Sequence, residues 1–265
     1  VVLIGFSWYN QPSVEEQRVA FVNDSIEQVN KSQSLKATQQ AKRQKQQAER
    51  QKVLNDTTSL FHKTLTGNAE QIVLKNKKVE LTLNTKGATV EKAVIKGYVG
   101  HNLKVKDGSA DQNDVILFNG AYQSLSYMLS DNETNINTSD LYFVHSQVTD
   151  STVTFTANSG EGKTLTPKYV LGKDYMLHMQ LSAQGMSGLF SPGTQTMDVN
   201  WKDKVRQQER GFTFENRYAT LTYHKSEGGT DYLNEGKEIT DEAIEDKIDW
   251  IAFKNQFFSA VMISN

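Results

Sequence analysis

The stretch "KKVELTLNTKGATVEKAVIKGY" at 77–98 places Val79, Leu81 and Leu83 at every second position. It turns at Lys86–Gly87 and resumes with Val90, Ala93, Val94 and Ile95. A period of two puts the apolar side chains on one face of an extended strand, whereas a helix needs a period near 3.6. The same texture recurs. "LYFVHSQVTDSTVTFTANSGEGKTLTPKYVL" (141–171) reads as three strands joined by Thr-Asp-Ser and Asn-Ser-Gly-Glu-Gly turns. "YMLHMQLSA" (175–183) reads as another, and "RGFTFENRYATLTYHK" (210–225) as one or two more. Short strands spaced by about 8–12 residues, with polar turns between them, predict an antiparallel sandwich or barrel-like fold rather than a parallel α/β sheet.

Only 37% of the 265 residues are hydrophobic, against about 45–50% in an ordinary globular chain. Part of the chain is therefore expected to lie outside the core, and residues 13–57 are that part. Within them "KATQQAKRQKQQAERQK" (36–52) has six basic residues, one acid and six glutamines, with no Gly, no Pro and no apolar stripe. Such a segment can be helical but cannot bury a face, which predicts a solvated helix or disordered tether. No aromatic is interleaved with its charges, and the whole chain carries a formal charge of −2, so nucleic acid is not an expected partner.

Ahead of the tether, "VVLIGFSWYNQP" opens with an apolar run ending at Trp8–Tyr9, the pair found where a span leaves the bilayer. The run is shorter than the roughly 20 residues that cross a membrane, so residues 1–12 read as the end of a transmembrane helix. Just beyond, residues 13–35 hold Glu15, Glu16, Asp24 and Glu27 against Arg18 and Lys31. Sparse basic charge close to a span favours the translocated side. The expected organisation is a span end at 1–12, a polar Gln/Lys-rich tether at 13–57, and a β domain at 58–265.

Sites of chemistry are sparse. "ANSGEGKT" (157–164) resembles a phosphate-binding loop, but that chemistry requires a helix after the loop. The "LTPKYVL" that follows reads as a strand, so this is a hairpin turn. His62, His101, His145, His178 and His224 never fall three to five residues apart, and there is no cysteine, which leaves no sequence-local metal site. "EITDEAIEDKID" (238–249) lacks the alternating acids and central glycine of a calcium loop and reads as a capped helical turn. No serine has a nucleophile-elbow setting. No catalytic, cofactor-binding or metal residue is expected, and the chain is not expected to be an enzyme. One enzymatic or sugar-binding alternative remains, a membrane-tethered carbohydrate-active sandwich. It would need an aromatic-lined cleft with two acids or a His–acid pair facing each other, with Trp201, Trp250 and tyrosines stacking on the sugar.

The densest aromatic stretch is "KIDWIAFKNQFFSAVMI" (247–263). Ile248, Trp250 and Ala252 alternate as in a strand. Trp250, Phe253, Phe257, Phe258 and Val261 also fall at i, i+3, i+7, i+8 and i+11, one face of a helix, and a short C-terminal helix is expected from that spacing. Trp250, Phe253, Lys254, Asn255, Phe257 and Phe258 form the candidate structural and interaction segment. It is expected to pack on the sandwich by one face and to offer the other to a membrane or partner.

Three stretches together resemble one family. "VELTLNTKGATVEKAVIKGY" is similar to the first hairpin of the periplasmic domain of the YidC membrane-protein insertases, with Asn-x-x-Gly at its turn and Lys-x-Tyr at its end. "KTLTPKYVLGKDYMLHMQLSA" is similar to a later hairpin. "DWIAFKNQFFSAVMI" resembles the family's Trp-(apolar)-Ala-x-Lys-x-x-(Tyr/Phe)-Phe signature, the most specific of the three. The resemblance covers roughly 77–265 and implies a β-supersandwich of sugar-mutarotase shape. It also implies a bacterial inner-membrane protein with this portion facing the periplasm. Function would then be scaffolding of membrane-protein insertion, with the Sec translocon, its accessory subunits and nascent membrane proteins as partners. The family's membrane-embedded insertion core has no counterpart in these residues, so none of its functional positions carries over.

Overall fold

The computed structural model describes residues 61–100, 114–120, 123–131, 134–160, 162–186, 197–234 and 244–264, with scattered positions between 15 and 57. The chain divides into two units, Val1–Asp56 and Thr57–Asn265. In the first unit the described positions from Glu15 to Asn55 are helical, and all but Leu54 are exposed. That is what a polar segment without an apolar stripe can form. No described helix is long and apolar enough to cross a membrane. The span end expected at 1–12 lies outside the described residues.

The second unit is mainly β, with four antiparallel sheets and no closed barrel among the described residues. The first sheet runs β1 (Gln71–Lys75), β2 (Val79–Asn84), β3 (Thr89–Val99) and β4 (Asp114–Asn119), in that order. The second runs β10 (Leu177–Gln184), β9 (Lys163–Leu171), β8 (Thr152–Gly160) and β7 (Val144–Ser146). A third has β11 (Val199–Lys202), β5 (Ser124–Asp131) and β6 (Thr134–Asn137). The fourth orders β13 (Thr230–Asn234), β12 (Thr220–Lys225), β14 (Ile248–Lys254) and β15 (Ser259–Ile263). One short helix, α1 (Phe212–Asn216), precedes β12.

The core follows from the alternation. Val79, Leu81 and Leu83 of β2 are buried while the residues between them are half-buried. Across the ladder Leu81 faces Leu74 on one side and Ala93 on the other. In the second sheet Val153, Phe155 and Ala157 of β8 and Leu165, Tyr169 and Leu171 of β9 turn inward in the same way. The Phe155 and Tyr169 rings meet edge to face with centroids 6.0 Å apart. Tyr169 donates its hydroxyl to the Ala88 carbonyl at 2.7 Å, a bond spanning 81 residues that ties the second sheet to the β2–β3 turn. That turn sits at Gly87 (φ +79°) and Ala88 (φ +47°), where the sequence places Lys86–Gly87. A side chain on Gly87 would meet Ser139 Cα at 3.3 Å, so the left-handed backbone and the close approach both call for glycine.

A second tie joins the same two sheets. Asn76 Nδ2 donates to the carbonyls of Gly172 at 2.8 Å and Asp174 at 2.7 Å, and its Oδ1 accepts from Lys78 N and Val79 N. One side chain thus satisfies both the β1–β2 turn and the β9–β10 turn. The loop-like "ANSGEGKT" is the β8–β9 hairpin, with Gly160 and Gly162 at positive φ and strand β9 following directly.

One expectation differs from the structure. Residues 248–263 form the β14–β15 hairpin rather than a strand followed by a C-terminal helix. In 210–225 the five-residue α1 takes the first part and β12 the last, so the stretch supplies one of the one or two strands expected. The helical turn expected at 238–249 lies mostly outside the described residues.

Candidate functional site

Strand β14 carries alternate side chains to opposite faces of its sheet. Its ladder partners define the two faces. Ile251 pairs with Tyr223 and Met262, and Phe253 with Leu221 and Ala260. On the opposite face Trp250 pairs with His224 and Ile263, Ala252 with Thr222 and Val261, and Lys254 with Thr220 and Ser259. Phe253 packs edge to face against Trp201 of β11 at 4.6 Å between centroids. This is the core-facing use of the segment. The face with Lys254 also carries exposed Tyr232, Val261 and Ile263.

At the start of β14 the register slips, because His224 pairs with Trp250 and Lys225 with Ile248, which leaves Asp249 as the extra residue of a bulge. A bulge re-aims its side chain. Here the Asp249 carboxylate accepts from the Ser226 hydroxyl and meets His224 Nδ1 at 3.3 Å. The Ser226 hydroxyl and then the neighbouring His224 hold its pKa below the ordinary carboxylate range. The His224 ring in turn lies stacked on Trp250, with centroids 5.8 Å apart. Beside it Lys225 Nζ meets Asp246 Oδ2 at 2.7 Å. A His–acid pair facing each other, which the carbohydrate reading names, is therefore present at His224 and Asp249, with Trp250 as its one ring neighbour. No group of three metal-ligating side chains occurs among the described residues.

The strongest polar feature lies in the turn. Asn255 is 4% exposed and makes every bond its amide can offer. Its Oδ1 accepts from Phe258 N at 2.9 Å and Phe257 N at 3.2 Å, and its Nδ2 donates to Arg206 O at 3.2 Å and Glu215 Oε1 at 3.0 Å. Glu215, also 4% exposed, sits in α1. Its carboxylate accepts from Gln208 N (2.9 and 3.1 Å to its two oxygens) and from Glu209 N at 3.0 Å. Gln208 then donates its Nε2 to Ile116 O of β4 at 2.8 Å. Phe258 completes the tie with its ring edge to face on Tyr98 of β3, 5.7 Å between centroids. The first sheet, the 206–209 segment, α1 and the last hairpin are thereby locked at one buried carboxylate.

The six candidate residues thus divide. Asn255 is buried in this lock, while Trp250, Phe253 and Phe258 are half-buried against named rings. Lys254 is exposed, and Phe257 is 65% exposed at the tip of the turn. Glu215 and Gln208 are absent from any sequence reading of the site. Their partners lie 40 and 92 residues away, and nothing local marks a glutamate that will be buried.

One further acid lies next to this region. Asp203 follows β11, its Oδ1 is buried without a hydrogen-bond partner among the described residues, and burial pushes its pKa up to about 6. A carboxyl whose folded pKa exceeds its unfolded value holds its proton more tightly when folded. Folding is then undiminished below the unfolded value near 3.8 and loses stability as pH rises to about 6. Asp203→Asn removes that loss. Because the group is only partly buried, the gain above that window is on the order of 1 kcal/mol. Urea midpoints of both proteins on either side of the window measure it, with the two converging in acid.

Comparison with known proteins agrees with this architecture. The family model described as the YidC periplasmic domain matches residues 71–265. The membrane protein insertase YidC of Phocaeicola vulgatus is 38% identical over 266 residues, covering 100% of this chain and 41% of that protein. The protein of the same name from Bacteroides fragilis is 33% identical over 268 residues, covering 100% and 41%. That of Porphyromonas gingivalis is 29% identical over 275 residues, covering 99% and 42%. No solved structure matches. The chain spans about two fifths of the length of these curated relatives. With the matched region running from β1 through the Asn255 turn to the last strand, the chain belongs to the YidC periplasmic-domain family.

Proposed function

We propose that this chain is the periplasm-facing portion of a bacterial inner-membrane protein insertase, acting as a rigid scaffold and interaction module during insertion and folding of membrane proteins. The family match over 71–265 carries the reading. The geometry agrees with a scaffold. The most elaborate polar arrangement among the described residues, at Glu215 and Asn255, holds elements together.

The proposed partners are the Sec translocon with its accessory subunits and nascent membrane proteins, with attachment to the inner membrane through the N-terminal segment. The partner-facing surface is the sheet face bearing Lys254, Tyr232, Val261 and Ile263, since the reverse face is taken up by contacts such as Phe253 on Trp201.

The test places a photo-crosslinking residue at Lys254, Tyr232 or Val261 of the full-length protein in cells. Crosslinks to translocon subunits and to nascent membrane proteins are expected. Normal insertion with no such crosslink from any of the three positions overturns the reading. An exposed charge at a contact rim is worth about 1 kcal/mol, so Lys254→Glu should weaken partner capture about fivefold.

A further inference from the structure

Four aromatic side chains stand out from the surface around the Glu215–Asn255 lock. Phe212 and Phe214 of α1 are 59% and 52% exposed, and Tyr218 and Phe257 are exposed as well. Burying a phenylalanine is favourable, so several left in water close to one another call for an explanation. The lock itself gathers them. Asn255 bonds at one end to the amide of Phe257 and at the other to Glu215, the neighbour of Phe214, and to the carbonyl of Arg206. Tyr218 meets Phe214 edge to face at 5.6 Å.

The charges between them have one dominant sign. From 204 to 218 the chain carries Lys204, Arg206, Arg210 and Arg217 against Glu209 and Glu215. Glu215 is buried and occupied by backbone and Asn255 donors. The outward charge is thus basic, with Lys204, Arg210 and Arg217 exposed. Aromatic rings interleaved with arginine suit the boundary between lipid headgroups and acyl chains, where rings enter and guanidinium groups stay with phosphate.

Shape favours a lipid surface over a protein. Phe257 sits in the Asn255–Phe258 turn at the end of a hairpin, and the phenylalanines of α1 sit on a helix of five residues. Protruding tips need no matching pocket to enter a fluid interface, whereas a protein partner would have to supply one.

We propose that this patch, comprising Phe214, Tyr218 and Phe257 with Arg217, docks the β domain onto an anionic phospholipid surface. Phe214 and Phe257 enter the headgroup layer, and Arg217 pairs with phosphates. The Glu215–Asn255 lock keeps the tips in fixed relation, so that they engage together. The proposal rests on the patch alone and stands whether or not the translocon contacts exist.

The chain contains no cysteine, so Gln256→Cys can carry a single environment-sensitive fluorophore between Asn255 and Phe257. A second labelled protein, Ser151→Cys, reports the β7–β8 turn. On vesicles of phosphatidylglycerol and phosphatidylethanolamine the probe at 256 should shift to the blue and be quenched by lipid-borne spin labels, while the probe at 151 stays aqueous. Neutral phosphatidylcholine vesicles should give little shift. A basic residue near such a surface adds measurably to binding, so Arg217→Glu should raise the lipid concentration needed by about fivefold or more. Phe214→Ser with Phe257→Ser should remove the quenching while circular dichroism shows the fold retained. Attachment elsewhere on the chain does not shift a probe at 256, so a water-like signal there on anionic vesicles overturns the proposal. A shift equal on neutral and anionic vesicles, or one seen only when another protein is added, also overturns it.

Discussion

Asn255→Asp should destabilise the β domain by about 3–5 kcal/mol at neutral pH, the scale of an uncompensated charge placed in a buried site. The substitution is nearly isosteric, and Oδ1 can still accept from the amides of Phe257 and Phe258. What changes is the other end of the side chain. Nδ2 donates to Glu215 Oε1 at 3.0 Å and to Arg206 O at 3.2 Å. An oxygen there faces a carboxylate and a carbonyl, with no proton between them and little water to screen them. Two carboxylates at that distance cannot both ionise cheaply.

The loss should therefore shrink as pH falls and one shared proton restores a hydrogen bond, the pair titrating as a unit. Protonating one of the two carboxyls removes the repulsion, so stability is retained in acid and lost as pH rises. Asn255→Ala removes the same bonds without adding charge and should cost less and show no such recovery. Urea unfolding of the three proteins across pH separates the two causes. An Asn255→Asp protein as stable as the parent at neutral pH would mean that Asn255 and Glu215 are not in contact.

That lock also shows where sequence reading stops. The strands were legible because their signal is local. Val79, Leu81 and Leu83 repeat every second residue, and β8 and β9 do the same around Phe155 and Tyr169. The Lys86–Gly87 turn is legible for the same reason, since glycine readily takes its left-handed backbone. The last hairpin was ambiguous rather than hidden. The aromatics from Trp250 to Val261 fit a helical face by spacing and a strand by alternation. The choice is made by Asn255, whose side chain caps the two amides that follow it and folds the chain back. Asparagine at a turn is a local signal, outweighed here by aromatic periodicity.

The short α1 has no comparable local signal. Phe212 and Phe214 both face water, and the residue with the buried role is Glu215, between Phe214 and Arg217. Nothing in "GFTFENRY" announces that its carboxylate will be satisfied by amides at 208 and 209 and by an asparagine 40 residues on. Such a site exists only after the fold has assembled. By contrast, the family signature around Trp250 and Lys254 is legible in sequence because the hairpin concentrates it in one stretch, although the sequence does not show which of its side chains are core and which are surface.

Phe155→Ala should cost about 3–5 kcal/mol, the range for deleting a fully buried aromatic from a packed core. The residue has no exposed surface and meets Tyr169 edge to face at 6.0 Å. Removing it costs its own transfer from water and leaves a void beside a ring that cannot follow, because Tyr169 is held by its hydroxyl on the Ala88 carbonyl. Tyr169→Phe alone should cost about 1–2 kcal/mol, for the lost bond and the unsatisfied carbonyl. The two changes should not add. Once Tyr169 is freed from Ala88, its ring can lean into the space left by Phe155 and recover part of the packing, so the double variant should fall short of the sum by about 0.5 kcal/mol or more. Urea denaturation of the four proteins closes the cycle. Strict additivity would show that the bond to Ala88 does not hold the ring in place.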